Sequence, residues 1–220
     1  MSKKDISLHL KIGGISALAV FYLLMIYVIV TFLGLLSLKS PLDPIGDPYF
    51  TIMEILILLI APLMLIVMIT VDTYASDEVK IFSRLALISM IIMTVITSSV
   101  HFVILTISRQ SAVANLTWMP LFFSFKWPSV AYILDILAWD WFFAISFISA
   151  SRVFRNGKFE KTVKVLMIIS GTLSLIGLLG VPLDNMQIRN IGIIGYALVS
   201  PAIFLLLSKI FNLNQTKNQF

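Results

Sequence analysis

The chain has 220 residues, of which 59% are hydrophobic and 12% are charged, with a net charge of +5. An ordinary soluble domain is about 25% charged, because polar side chains must cover its surface, so this composition excludes a soluble globular protein. It predicts an all-α, polytopic integral membrane protein, since a helix satisfies its own backbone hydrogen bonds within lipid.

Six apolar segments are long enough to cross a hydrocarbon core, which needs about 20 helical residues. Together they predict a single membrane domain over residues 1–220. The first segment follows several lysines, as in a signal peptide, but it is too long and lacks a small-residue cleavage site, so we expect it to be retained. The predicted transmembrane helices are residues 12–36, 52–71, 85–107, 129–150, 165–181 and 191–211.

The second and third predicted helices both contain ionisable side chains. Glu54 lies near the start of the second helix. In the third helix, Thr94, Ser98 and His101 are spaced by four and three residues, with Thr97 beside them, which predicts a polar stripe on one face. Ionisable residues within a transmembrane helix are rare and usually face the bundle interior, so Glu54 and His101 are candidate functional residues.

The segment between the third and fourth predicted helices, Ser108 to Pro128, is rich in aromatic residues. Aromatic side chains concentrate at membrane–water interfaces, so we interpret this loop as an interfacial anchor. The alternative is a lid, through which a lipid-like ligand would enter from the side. The aromatic residues are Trp118, Phe122, Phe123, Phe125 and Trp127.

The fourth predicted helix contains two acids, Asp135 and Asp140. Each acid costs about 2.5–3.5 kcal/mol at the centre of a transmembrane helix, so both must be paired, protonated or hydrated. Five residues correspond to a rotation of about 140° around an α-helix, so we expect the two acids to face different neighbours. Trp139 shares a stripe with Asp135 and is also a candidate.

The last two predicted helices contain many small residues, which allow helices to approach closely. The turn before the sixth helix contains Arg189, which we expect to be a counter-ion for the acids. The small residues are Ser170, Gly171, Ser174, Gly177 and Gly180 in the fifth helix, and Gly192 and Gly195 in the sixth.

Two parts of the chain, 81 residues apart, have similar sequences, and we call this similarity the 81-residue echo. Residues 52–56 resemble residues 133–137, and the alignment places Glu54 opposite Asp135. The echo predicts that helices two and three and helices four and five are related hairpins.

The basic residues are divided unequally between the two sides of the predicted bundle. Twelve of the 16 Lys and Arg residues lie at the termini or in the loops on the same side as the termini. Cytoplasmic loops carry this excess, so we expect both termini to be cytoplasmic, in the plasma membrane of a prokaryote. The basic charge is thereby explained without a nucleic-acid partner. The four residues on the other side are Lys39, Arg109, Lys126 and Arg189.

The ionisable candidates predict an outward-facing intramembrane polar site that binds a small or lipid-like ligand. The expected partners are the lipid bilayer and this ligand, and a second copy of the chain is an open alternative. No cofactor motif is evident in the sequence.

Three other functions stay open at this stage. A membrane-embedded enzyme could use the histidine and carboxylates for acid–base or metal-assisted chemistry, with a divalent ion held by Glu54, His101, Asp135 and Asp140. A proton-coupled transporter could use Asp140 as its titrating group at mid-membrane. In a sensory or assembly protein, the polar contacts would only hold helices together.

Overall fold

Six long helices make up most of the computed structural model, which describes residues 3–40 and 43–217. All the regular secondary structure in these ranges is helical. Each long helix has the length and composition needed to cross a membrane, as the sequence predicts. They are α1 (Lys3–Leu36), α2 (Tyr49–Tyr74), α3 (Lys80–Thr106), α4 (Val130–Val153), α5 (Lys158–Leu178) and α6 (Met186–Thr216).

The predicted boundaries are least accurate for α1 and α5. Helix α5 begins at Lys158 instead of residue 165, and it ends at Leu178 instead of residue 181. Lys and Glu are good helix formers, so both helices include charged residues at their starts. The prediction missed these residues because it counted only apolar segments.

The bundle has two ends, which we call proximal and distal. The proximal end contains the start of α1, the end of α6 and the turns α2–α3 and α4–α5, which are joined by an ion pair of 2.8 Å between Arg155 and Glu78. The distal end contains the loops α1–α2, α3–α4 and α5–α6. There the indole nitrogen of Trp127 donates a hydrogen bond of 2.9 Å to Asp184.

The centre of the bundle is packed with aromatic and methionine side chains. Phe143 and Phe147 of α4 are fully buried, with ring centroids 4.0 Å apart, and Phe204 of α6 packs against Phe147. Met64 of α2 and Met90 of α3 are also fully buried. This apolar core lies on the proximal side of the ionisable candidates of α4.

Helices α4 and α6 each contain a π-helical segment, Leu137–Phe142 and Ile194–Val199 respectively. A π-turn closes its hydrogen bond from residue i to residue i+5, and such turns are often found at functional sites. After the second segment, Pro201 cannot donate a backbone hydrogen bond to the preceding turn. The Ser200 hydroxyl donates instead to the Tyr196 carbonyl at 2.5 Å.

Helices α5 and α6 approach each other through small residues. A Cβ atom on Gly177 would lie 2.7 Å from the backbone of Gly192, and one on Gly195 would lie 2.5 Å from the carbonyl of Ser170. The Ser170 hydroxyl also donates to the Gly195 carbonyl at 2.9 Å. The predicted close approach is therefore confirmed at these positions, whereas Gly171 packs against α4.

Candidate functional site

Five ionisable side chains form a continuous buried network in the distal half of the bundle. Each residue exposes at most 5% of its surface, and all five were candidates from the sequence. The network consists of Glu54 of α2, His101 of α3, Asp135 and Asp140 of α4, and Arg189 of α6.

The imidazole of His101 lies between two carboxylates. Its Nδ1 atom is 2.8 Å from Oε2 of Glu54, within a hydrogen bond. Its Nε2 atom is 3.3 Å from Oδ1 of Asp135, without the alignment of a hydrogen bond. These carboxylates belong to the two acids that the 81-residue echo aligns, although the echo itself stays a prediction.

The guanidinium of Arg189 lies close to both acids of α4, as expected for a counter-ion. Its Nη2 atom is 3.5 Å from Oδ2 of Asp135, and its Nε atom is 3.6 Å from Oδ2 of Asp140. The rings of Tyr132 and Tyr196 lie 5.2 and 5.9 Å from the guanidinium carbon. Arg189 is therefore enclosed by two carboxylates and two aromatic faces.

The prediction that Asp135 and Asp140 face different neighbours is wrong. It assumed a regular α-helix, but a π-helical segment, Leu137–Phe142, begins between the two acids and includes Asp140. Because a π-turn connects residues five apart in sequence, both carboxylates lie on the same side of α4 and approach Arg189.

Trp139 connects this network to the polar stripe of α3. Its indole nitrogen donates a hydrogen bond of 3.0 Å to the Thr97 hydroxyl, and its ring centroid lies 5.1 Å from that of Tyr196. The Thr94 hydroxyl donates instead to a backbone carbonyl of α2 at 3.3 Å, and Ser98 is half-buried. Thr97 is thus the stripe hydroxyl that supports the site.

A cavity of about 90 Å³ lies against the network. On this measure about 15 Å³ is enough for one water molecule, so the cavity can hold several waters or a small organic group. All the network residues except Asp140 line it, and α5 contributes no lining residue. The aromatic part of its wall consists of Tyr27, Phe50, Phe125, Trp139 and Tyr196.

Several polar atoms of the network have no hydrogen-bond partner among the residues described. They include Nε2 of His101 and Oδ1 of Asp135, whose side chains line the cavity, and Nε of Arg189. Buried polar groups are normally hydrogen-bonded, and leaving one unsatisfied costs about 1–3 kcal/mol. The network therefore leaves these atoms without a hydrogen bond, although each of the two nitrogens lies within 3.6 Å of a carboxylate oxygen.

The loop between α3 and α4 contributes to the site through Phe125. The ring of Phe125 lies 5.4 Å from the His101 imidazole and 6.2 Å from the Phe50 ring. Trp118 and Phe122 of the same loop are exposed. The exposed rings are consistent with an interfacial anchor, and the position of Phe125 beside His101 is consistent with a lid. Both interpretations therefore stay predictions.

A second group of polar residues lies at the distal rim, outside the network. Arg109 is 3.4 Å from Asp47 and donates to the Thr51 hydroxyl at 2.7 Å. The Thr51 hydroxyl, which donates to Asp47, and the nearby guanidinium hold the pKa of Asp47 below its usual value. The pair is therefore ionised and adds no net charge near the cavity.

Within residues 3–40 and 43–217, no three His, Asp or Glu side chains are grouped so that they could hold a metal ion. The guanidinium of Arg189 supplies the positive charge beside Asp135 and Asp140 that a divalent ion would otherwise supply. The observed network is an arrangement of ion pairs and hydrogen bonds.

No protein-family model, curated protein or solved structure matches this chain. The functional interpretation therefore depends on the residues of the site and their geometry.

Proposed function

We propose that this chain is a multi-pass membrane protein that binds a small ligand, or the headgroup of a lipid-like ligand, in the distal cavity. The observation that supports this proposal is the position of His101 Nε2 and Asp135 Oδ1. They lie 3.3 Å apart without forming a hydrogen bond, make none with the other described residues, and belong to side chains on the cavity wall. A network that only fastened helices would satisfy its polar atoms internally.

The proposal includes the plasma membrane of a prokaryote and an outward-facing distal end. It is supported by the unequal division of Lys and Arg residues, since twelve of the 16 lie on the proximal side. Cytoplasmic loops are enriched in such residues, so both termini would be cytoplasmic and the cavity would receive its ligand from outside.

A second function, acid–base catalysis on a membrane-soluble substrate, is favoured by the position of His101. Its Nδ1 atom is bonded to Glu54, while its Nε2 atom belongs to a side chain on the cavity wall. An imidazole oriented in this way can accept or donate a proton at Nε2. The proton-coupled carrier has less support, because Asp140 is fully buried and does not line the cavity.

The absence of cysteine allows a direct test of the cavity. Ala197 lines the cavity, whereas Ala86 is fully buried in α3 and is not part of its wall. The variants Ala197→Cys and Ala86→Cys would be treated in membranes with methyl methanethiosulfonate, a small neutral thiol reagent. We expect rapid modification of the first variant and protection of the second. Equal protection of both cysteines would contradict an accessible cavity.

A further inference from the structure

We propose that the ligand of the distal cavity carries a small organic cation, a primary or quaternary ammonium group. This inference rests on the proposed function, because it requires that the cavity binds a ligand. Three independent features of the site support it: the balance of charge, the composition of the wall and the unsatisfied acceptor.

The network contains more negative than positive groups. Ion-pair contacts connect three carboxylates with one guanidinium and one imidazole. Even with the imidazole protonated, one negative charge is uncompensated when all the carboxylates are ionised. The nearest rim charges, Arg109 and Asp47, pair with each other and do not change this balance. An uncompensated buried charge is costly, so a cation in the cavity would stabilise the network.

The aromatic part of the cavity wall suits a cation better than an anion. The face of an aromatic ring carries negative charge density and attracts ammonium groups, most strongly where water is excluded. Five aromatic residues line the cavity, and Trp139 and Tyr196 are themselves buried. Rings and carboxylates together form the kind of enclosure in which proteins hold quaternary ammonium ligands.

The unsatisfied acceptor gives a primary ammonium a hydrogen-bond partner and gives a quaternary ammonium, which has no N–H, a partner for an ion pair. Oδ1 of Asp135 accepts no hydrogen bond from the described residues, since its 3.3 Å contact with His101 Nε2 lacks the alignment of one, and Glu54 also lines the cavity. The two positively charged groups are already engaged, because His101 contacts two carboxylates and Arg189 contacts two. An anionic ligand would therefore compete with three carboxylates for these groups, whereas a cation would add a missing partner.

The test measures protection of Ala197→Cys by three compounds of similar shape and different charge: tetramethylammonium, neopentyl alcohol and pivalate. Methylammonium serves as a smaller cation. We expect either cation to slow modification by methyl methanethiosulfonate by about tenfold or more, because a desolvated cation beside rings and a carboxylate is strongly bound. The neutral compound and the anion should change the rate less than about twofold.

Variants of the two lining acids provide the second part of the test. In the Ala197→Cys background, Asp135→Asn and Glu54→Gln should each remove most of the protection by the cation. Asp72→Asn is the matched control, because Asp72 lies at the proximal end and contacts Lys80 and Ser83. Protection should be unchanged in that variant.

The ammonium group could belong to a soluble amine or to a lipid headgroup. Membranes of phosphatidylcholine and phosphatidylglycerol distinguish the two sources. A headgroup ligand would protect Ala197→Cys in phosphatidylcholine without any added cation, whereas a soluble ligand would leave the cysteine reactive in both membranes until the cation is added.

The remaining outcomes separate the two proposals. A cationic ligand is excluded if pivalate or neopentyl alcohol protects as well as the cations, or if none of the compounds protects. In either case, a reactive Ala197→Cys still supports an accessible cavity. If Ala197→Cys reacts as slowly as Ala86→Cys in phosphatidylglycerol without additives, the ligand-binding function itself is contradicted.

Discussion

At the scale of single residues, Arg189 is the cation that compensates the buried carboxylates of α4. It lies near two carboxylates that have few other partners, since neither oxygen of Asp140 accepts a hydrogen bond from the described residues. A buried carboxylate without a compensating cation is strongly unfavourable. The two acids of α4 are therefore tolerated because α6 provides a guanidinium at the same depth.

This dependence predicts a coupled response to mutation. Arg189→Gln should lower the free energy of unfolding by about 3–5 kcal/mol, because two buried carboxylates lose their cation. Asp140→Asn should have little effect or be stabilising alone, and it should restore part of the loss in the Arg189→Gln background. Equilibrium unfolding of the four proteins in one detergent measures the coupling.

The control for this cycle is Arg109→Gln, which removes a half-exposed rim arginine. It should cost less than about 1 kcal/mol, as exposed ion pairs do. A large loss of stability in Asp140→Asn alone would indicate a network that fastens the bundle, and would count against a ligand site.

The ionisable residues of the site were predictable from the sequence, but of its aromatic wall only Trp139 and Phe125 were singled out. Glu54 and Asp135 stand out because charged groups are rare within apolar segments. Tyr27, Phe50 and Tyr196 do not, because aromatic residues are ordinary within apolar helices. Their role depends on which face of each helix meets the cavity, and only the packing of five helices determines that.

At the scale of secondary-structure elements, the π-helical segment of α4 determines the geometry of the site. It adds one residue to a turn and so brings Asp135 and Asp140 to the same side of the helix. The sequence predicts the helix from its hydrophobicity, but a π-turn has no compositional signature of comparable strength. The error in the relative orientation of the two acids came from this one extra residue.

A deletion can test the π-helical segment. Removing Leu137, which is exposed on the segment, should convert the π-turn to an α-turn and leave the two acids four residues apart, still on one face. The bundle should therefore stay folded. Removing the similarly exposed Ile168 from α5 should rotate the rest of that helix by about 100° and disrupt packing. Size-exclusion profiles and thermal unfolding compare the two proteins.

The contact between α5 and α6 makes a second prediction at this scale. Gly177→Ala should destabilise the protein by about 1–3 kcal/mol, because the added methyl would meet the backbone of Gly192, which cannot rotate away. Gly46→Ala is the matched control, since a methyl group on Gly46 would have no heavy atom of the described residues within 4 Å. Its effect should be within about 0.5 kcal/mol in the same unfolding measurement.

At the scale of the whole molecule, the separation of basic residues predicts the orientation in the membrane. The exposed residues Asn156 and Asn190 lie at the proximal and distal ends respectively. In intact cells, a membrane-impermeant maleimide should label Asn190→Cys and leave Asn156→Cys unlabelled until the membrane is permeabilised. The reverse pattern would place the distal cavity on the cytoplasmic side.

The apolar core beneath Asp140 has an electrical consequence for a cell. Phe143, Phe147 and Phe204 fill the layer between the network and the proximal end, where the next ionisable residues lie. In a bilayer, most of the transmembrane voltage falls across such a poorly polarisable layer. An ion moving from the cavity to the proximal side would gain or lose about 2.3 kcal/mol per 100 mV according to the sign of its charge, and would in either case bear the cost of dehydration. In a membrane, the packed rings would therefore separate the buried charges of the network from the proximal side and provide no path for ions across the bilayer.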